Sequence, residues 1–246
     1  MHKSHQVFEE PTEKARIWRY TDFTKFVSLL HTQQLFFARA DKLQDPYEGT
    51  YPRASLNLLD GILPPTDLAI FRETLGPSFY ENVRKSVFIN SWHINEYESA
   101  AMWRLYLKTN EGIAIQSTFK LLAESFNVHT EDDVFIGRVK YIDYETARLP
   151  ASNAFFPFLA KRTSYEHEHE LRAVVWKSDY IDLASREREQ IPDGIYVSID
   201  LPTVIDKVYV APDAPQWFNS LVKSVMNKYE LSKEIVQSSL GGDPLF

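Results

Sequence analysis

The densest run of ionisable side chains in the sequence is Tyr165-Glu166-His167-Glu168-His169-Glu170-Leu171-Arg172, which leads into the apolar stretch Ala173-Val174-Val175-Trp176. Alternate residues of an extended backbone share a face. The spacing therefore predicts Glu166, Glu168, Glu170 and Arg172 on one side of a strand, with His167, His169 and Leu171 on the other. Three carboxylates in register repel one another and need a cation among them. Arg172 supplies one, and a bound cation or a cationic substrate group is a further source. Such crowding raises a carboxylate pKa and suits acid–base work. Two other readings compete with this one. Charge clusters are usually surface features, so a solvated strand end neutralised by Arg172 is the plain alternative. A metal site is the other: His167 and His169, at i and i+2 on a strand, clasp a metal when a carboxylate joins them. The spacing of His31, His93 and His129 assigns no third ligand, and no metal is expected.

Three further segments carry useful chemistry. In Trp18-Arg19-Tyr20-Thr21 an Arg stands between two aromatics, where its planar fork suits a phosphate or carboxylate. A structural ion pair is the equal alternative for Arg19. In Ser91-Trp92-His93, Ser91 falls at a strand end and is a candidate to face a pocket. Met102-Trp103-Arg104-Leu105-Tyr106 follows on a helix, and Trp103 reads as core. In Asp41 to Glu48, Asp45-Pro46 is a turn signal, leaving Tyr47 and Glu48 available for ligand contact.

Composition bounds what these residues can do. The chain of 246 residues has 27 Lys+Arg against 34 Asp+Glu, a formal charge of −7. That sum argues against sequence-independent nucleic-acid binding by net charge and leaves a local basic groove open. With no cysteine there is no disulfide, thiolate metal site, Fe–S cluster or catalytic thiol. The 8 glycines form no phosphate-binding loop, and the sequence holds no Gly-x-Ser-x-Gly elbow, His-Glu-x-x-His helix or EF-hand. No stretch approaches the ~20 apolar residues of a membrane span, and Met1 to Arg16 lacks the apolar core of a signal peptide. The expectation is a soluble, cytoplasmic globular protein.

The elements that must position these side chains are short and unequal. Ile17 to Tyr20 reads as a strand, followed by a helix capped by Thr21 or Asp22 with Phe23, Phe26, Val27 and Leu30 on one face. Leu35 to Ala38, Val87 to Trp92, Ile113 to Gln116, Phe135 to Ile142, Leu171 to Trp176, Ile195 to Ile199 and Val208 to Val210 read as strands. Helices are expected at Glu98 to Tyr106, Thr118 to Ser125, Asn153 to Ala160 and Ala214 to Tyr229. A further helix, capped by Thr66 or Asp67, is expected between Pro64-Pro65 and Gly76-Pro77. Without the rhythm of repeated βαβ units, the fold class is α+β, a mixed and mostly antiparallel sheet with flanking helices. The expected organisation is a flexible segment 1–16, one domain 17–240 with a helical insert at about 50–86, and a tail 241–246.

Taken in order, Trp18-Arg19-Tyr20-Thr21, Leu35-Phe36-Phe37-Ala38, Asp45-Pro46-Tyr47-Glu48, Ser91-Trp92, Met102 to Tyr106, Gly112-Ile113-Ala114-Ile115 and Glu168 to Arg172 resemble the bacterial family called domain of unknown function 2971. The resemblance spans about residues 17 to 240. It implies no activity. A looser resemblance is to ADP-ribosyltransferase folds of the Arg–Ser–Glu type. It implies NAD as a substrate, with Arg19 on its phosphates and Ser91 or Ser117 shaping the nicotinamide pocket. An aromatic such as Tyr20 or Trp92 would stack on the nicotinamide ring, and Glu168 and Glu170 would be the catalytic pair. Neither serine reproduces the usual Ser-Thr-Ser. The acceptor, protein or nucleic acid, is left open.

Two other functions stand beside an NAD-cleaving transferase or glycohydrolase. One is a non-catalytic sensor or partner protein of a bacterial toxin or phage-defence system. The other is a metal-dependent hydrolase or nuclease built on the Glu/His cluster. The geometry that separates them is whether Arg19 and Glu170 flank one cleft.

Overall fold

A computed structural model describes residues 1–55, 77–107, 110–127, 131–150, 152–181 and 191–242. Strand β1 (Arg16–Asp22) ends on the residue that starts helix α1 (Phe23–Thr32). The Asp22 carboxylate accepts the Lys25 N–H at 2.8 Å, satisfying one of the orphan donors of the first turn. Gln33, left-handed at φ 53, ends the helix, and its N–H donates back to the Leu29 carbonyl. The chain turns there into β2 (Gln34–Arg39).

Helix α2 (Pro77–Ser86) runs straight into β3 (Val87–Ile94). Helix α3 (Ala100–Tyr106) is capped by Ser99, and β4 (Gly112–Thr118) leads to α4 (Phe119–Ser125), capped by Thr118. Then come β5 (Phe135–Arg138), β6 (Lys140–Ile142), β7 (Ala160–Arg162), β8 (Glu170–Trp176) and β9 (Gly194–Ser198). The chain closes with α5 (Leu201–Val204), β10 (Lys207–Val210), α6 (Gln216–Lys228) and β11 (Glu234–Gln237).

Among the described residues nine strands form one sheet, in the order β11-β10-β4-β1-β3-β2-β9, with β8 also on β3 and β5 beyond β8. Every pairing in it is antiparallel except β10 with β11. The architecture is therefore α+β with a mostly antiparallel sheet. One face carries the main core, where Ile17, Trp92, Ile115 and Leu171 meet Phe26 of α1, Leu122 of α4 and Phe218 of α6. The other face is covered in two patches, one of them an aromatic cluster of Trp18, Tyr20, Met102 and Trp103.

The feature that makes the site is a parting of strands along one edge of β3. Strand β8 occupies the other edge from Val87 to His93 without a break. On the near edge β1 pairs only through Ile17–Ile94 and Trp18–His93, and β2 only through Ala38–Ile89 and Arg39–Phe88. Beyond those pairs β1 follows β4 to Asp22–Gly112, and β2 follows β9 to Gln34–Ser198. Asn90, Ser91 and Trp92 thus face a gap between two half-sheets. Buried backbone carbonyls need donors, and side chains supply them here. Asn90 Nδ2 donates across the gap to the Phe36 carbonyl at 2.8 Å, and Arg19 Nη1 donates to the Ser91 carbonyl at 2.8 Å.

Several expectations need correction. The run Glu166 to Arg172 is not one strand. Thr163–Glu168 winds as a 3-10 helix, His169 is left-handed at φ 39, and the strand starts only at Glu170. Glu166, Glu168 and Glu170 therefore do not alternate on one face. Phe135 to Ile142 is broken at Val139, so β5 joins the large sheet and β6 pairs with β7 instead. Asn153 to Ala160 holds only a 3-10 segment, Phe156–Leu159. Near the N-terminus Lys3 N–H donates to the Val134 carbonyl, and Phe8 is buried against Phe135 and Phe155. The helix expected between Pro64-Pro65 and Gly76 lies outside the described residues. No described helix is long and apolar enough to cross a membrane.

Candidate active site

A cleft of about 580 Å³ opens along the gap, and Arg19, Tyr20, Ser91, Trp92, Glu168 and Glu170 all line it. Ser91 joins its two sides. The carbonyl accepts from Arg19, and the hydroxyl donates to Glu170 Oε1 at 2.5 Å. The register explains this contact: Ser91 pairs with Arg172 and His93 with Glu170 across the β3–β8 ladder, so the four side chains share one face.

Beneath Ser91 lies a network of five charges, four of them buried. Arg172 grips Glu170 with both arms of its fork, Nε to Oε1 at 2.8 Å and Nη2 to Oε2 at 2.9 Å. Its Nη2 also reaches Glu48, and its Nη1 donates to the Phe158 carbonyl at 2.8 Å. Lys161 Nζ lies 2.6 Å from Glu168, 3.3 Å from Glu170 and 3.4 Å from Glu48. Three carboxylates against two cations leave one net negative charge at the floor of the cleft.

Environment separates the two glutamates of the Glu-x-Glu pair. Burial alone raises the Glu170 carboxyl, but Arg172 and then Lys161, with hydrogen bonds from Arg172 and Ser91, hold it down at about 2. Each Glu170 oxygen already accepts two contacts. For Glu168 burial wins. Its carboxyl is raised above the usual carboxylate range despite Lys161, with Glu170 and Glu48 adding to the rise. Only Oε2 of Glu168 is engaged, by Lys161; Oε1 has no hydrogen bond among the described residues. Glu168 is thus the basic, uncommitted carboxylate of the pair, and Glu170 the fixed one.

Arg19 is the opposite case. Its guanidinium sits in the seam over the Trp92 ring, 5.9 Å from the centroid. No carboxylate among the described residues lies within ion-pair distance of it. Burial lowers its pKa to about 10, with Tyr106 pulling slightly the other way, so it stays charged at neutral pH. A largely desolvated charge without a counter-ion is costly, and this half-buried one opens on a cleft. The structural ion pair that the sequence allowed for Arg19 is not formed.

The two aromatics expected to stack on a ring do not stand free on both faces. Tyr20 belongs to the aromatic cluster, edge-on to Trp103 at 5.0 Å, and its hydroxyl accepts the Ser99 N–H at 2.7 Å. Trp92 is 2% exposed in the main core, with Nε1 donating to Asn90 Oδ1 at 2.8 Å. Each is a wall of the cleft and not a clamp. Ser117, the other serine considered, is fully buried on β4 and does not line the cleft.

Sequence reasoning missed four participants. Lys161 sits in an unremarkable Leu-Ala-Lys-Arg run. Glu48 was noted only for availability, yet it is 3% exposed and closes the charge network. Its placement follows from the Asp45 turn, where Tyr47 N–H donates to Asp45 Oδ1 and Gly49 takes φ 74. Tyr106 lines the cleft with a phenol that burial, helped by Glu168 and Glu170, pushes up to about 12. His93 lines it too. The only available signals were the turn at Asp45-Pro46 and the alternation Ser91-x-His93. Among the described residues no three His, Cys, Asp or Glu side chains converge to hold a metal ion, and His169 faces the His93 ring instead, at 6.0 Å.

No family model matches the chain, and no curated protein matches it. The resemblance to domain of unknown function 2971 therefore rests on the motifs quoted above. Among solved structures the chain is similar to Thermus sp. 2.9 DarT in complex with ADP-ribosylated ssDNA, with a TM-score of 0.41 at 10% identity over 94% of this chain and 97% of that one. Thermus sp. 2.9 DarT in complex with NAD+ gives a TM-score of 0.38 at 9% identity, over 93% and 96% of the two chains. The functional reading rests on the cleft and not on these likenesses.

Proposed function

We propose that this chain cleaves NAD at the nicotinamide–ribose bond, as an ADP-ribosyltransferase or NAD glycohydrolase. The observation that carries the reading is the polarity of the cleft. Arg19, a half-buried cation with no carboxylate partner among the described residues, shares one cavity with Glu168 and Glu170, whose network holds one excess negative charge. NAD has the matching polarity. Its pyrophosphate is dianionic and suits a guanidinium, and its nicotinamide-ribosyl end is cationic.

The chemistry follows from that pairing. The C–N bond breaks with its electron pair going to the ring nitrogen, so neutral nicotinamide departs and C1′ of the ribose becomes an oxocarbenium-like centre. Glu170, ionised and locked by Arg172 and Ser91, contributes a fixed field and needs no reorganisation as that charge develops. A nucleophile, either water or an acceptor group, then donates its lone pair to C1′ and loses a proton. Glu168, with a raised pKa and a free oxygen, takes that proton. Water as nucleophile gives ADP-ribose; an acceptor gives an ADP-ribosylated product. Residues from 18 to 196 line this cleft, so we take 17–240 as a single functional unit. A need for NAD and a cysteine-free chain fit a cytoplasmic setting.

A second reading has its own support. Both Glu170 oxygens are saturated by Ser91, Arg172 and Lys161, as in a purely structural network. On that reading the chain is a non-catalytic nucleotide sensor or partner protein, for instance in a bacterial toxin or defence system. Incubation of purified protein with NAD, followed by mass-spectrometric product analysis, separates the two. The NAD-cleaving reading requires release of nicotinamide by the wild type and its loss in Glu168→Gln. The sensor reading requires binding with NAD recovered intact.

A further inference from the structure

We propose that His93 sets the choice of pyridine ring in the cleft, accepting a hydrogen bond from a carboxamide N–H and rejecting a ring that carries a carboxylate. This rests on the NAD reading above and names a specificity residue within it.

His93 is 2% exposed and lines the cleft on the face of β3 that also carries Ser91. Its cross-strand partners are Trp18 and Glu170, so it sits two positions along the ladder from the Ser91–Arg172 pair and on the same face, beside Glu170. Nδ1 lies 2.6 Å from the Glu168 backbone carbonyl. A carbonyl only accepts, so Nδ1 carries the ring proton and Nε2 of the neutral imidazole is a bare acceptor. That Nε2 is buried and has no hydrogen-bond partner among the described residues. Burial lowers the His93 pKa, outweighing the Glu168 carbonyl, which raises it, so the neutral form prevails at pH 7. That Nδ1 contact holds the imidazole, with the Tyr20 ring centroid 6.2 Å and the His169 centroid 6.0 Å from it.

A buried acceptor left unpaired selects for a ligand donor. The carboxamide of nicotinamide offers two N–H groups. The carboxylate of nicotinic acid offers only lone pairs and a negative charge beside Glu168 and Glu170. A site built to bond a substrate N–H rejects strongly the analogue that lacks it.

The test is calorimetric titration of the full chain at pH 7.5 with NAD, nicotinic acid adenine dinucleotide and ADP-ribose, for wild type, His93→Phe and His93→Gln. The wild type is expected to bind NAD at least about 100-fold more tightly than the nicotinic acid dinucleotide. His93→Phe is expected to bring that ratio below about 10-fold while leaving ADP-ribose affinity unchanged, because ADP-ribose has no pyridine ring. His93→Gln, which keeps an acceptor oxygen, is expected to retain part of the preference and reads the role should the Phe variant not fold. Equal wild-type affinity for the two dinucleotides, or an unchanged ratio in His93→Phe, overturns the assignment while leaving the NAD reading intact. Failure of the wild type to bind any of the three overturns the NAD reading itself.

Discussion

Arg19 and Glu170 approach one cleft from different strands and are joined through a single residue. Ser91 accepts the Arg19 guanidinium on its carbonyl at 2.8 Å and gives its hydroxyl to Glu170 at 2.5 Å. The two charges do not neutralise each other. The cation remains available to an anion, and the carboxylate is already fixed by its own partners.

Glu168 is the group whose titration is expected to shape the rate. It acts as a base and must be ionised, and burial raises its pKa above the usual 4.5. Turnover of NAD should therefore fall as pH drops through that raised pKa. Glu168→Gln should lower kcat by roughly 100-fold or more and abolish the acidic limb of the profile. A pH–rate measurement on both proteins checks this.

Arg172 holds the network together. Replacing it by Leu leaves Glu170 and Glu48 buried with only Lys161 between them. Breaking a buried pair from one side costs about 3–5 kcal/mol. Denaturant unfolding should show a loss of that order for Arg172→Leu. The loss should shrink when Glu170→Leu is combined with it, since the stranded charge is then removed.

Acid should find Glu170. Its folded pKa of about 2 lies below the ordinary 4.5, so its contribution to stability is complete above pH 4.5 and is lost as pH falls towards 2. Glu168, raised instead, works in the opposite sense, favouring the folded state as it is protonated. The expected result is a fall in unfolding free energy between pH 4.5 and 2 that flattens in Glu170→Gln. Chemical denaturation at stepped pH measures it.

The strands and the two amphipathic helices α1 and α6 were legible because periodicity and caps are local properties. Asp22, one of the two caps the sequence offered for α1, caps it, and α4 starts one residue after the expected Thr118, which caps it. The α+β class and the lining residues Arg19, Ser91, Glu168 and Glu170 were legible too. What was not legible was long-range. Glu48 meets Arg172 from 124 positions away, and nothing in its own segment announces a buried cation partner. Lys161 answers three carboxylates only because β7 lies beside the 3-10 segment that ends at Glu168. The left-handed turn at His169 defeated simple alternation, since a histidine at φ 39 is uncommon. Nothing local to Tyr20 or Trp92 announces that each is packed into a core cluster.

The central claim is that the cleft takes NAD through an arginine left without a counter-charge. Calorimetric titration of NAD into wild type and Arg19→Met tests it most directly. The wild type should bind, and Arg19→Met should lose at least about 10-fold in affinity, the equivalent of one charge-assisted contact. Its folding stability should change by no more than about 1.5 kcal/mol, because one hydrogen bond is lost and a half-buried unpaired charge is removed. Equal NAD affinity in the two proteins, or no binding by the wild type, contradicts the account.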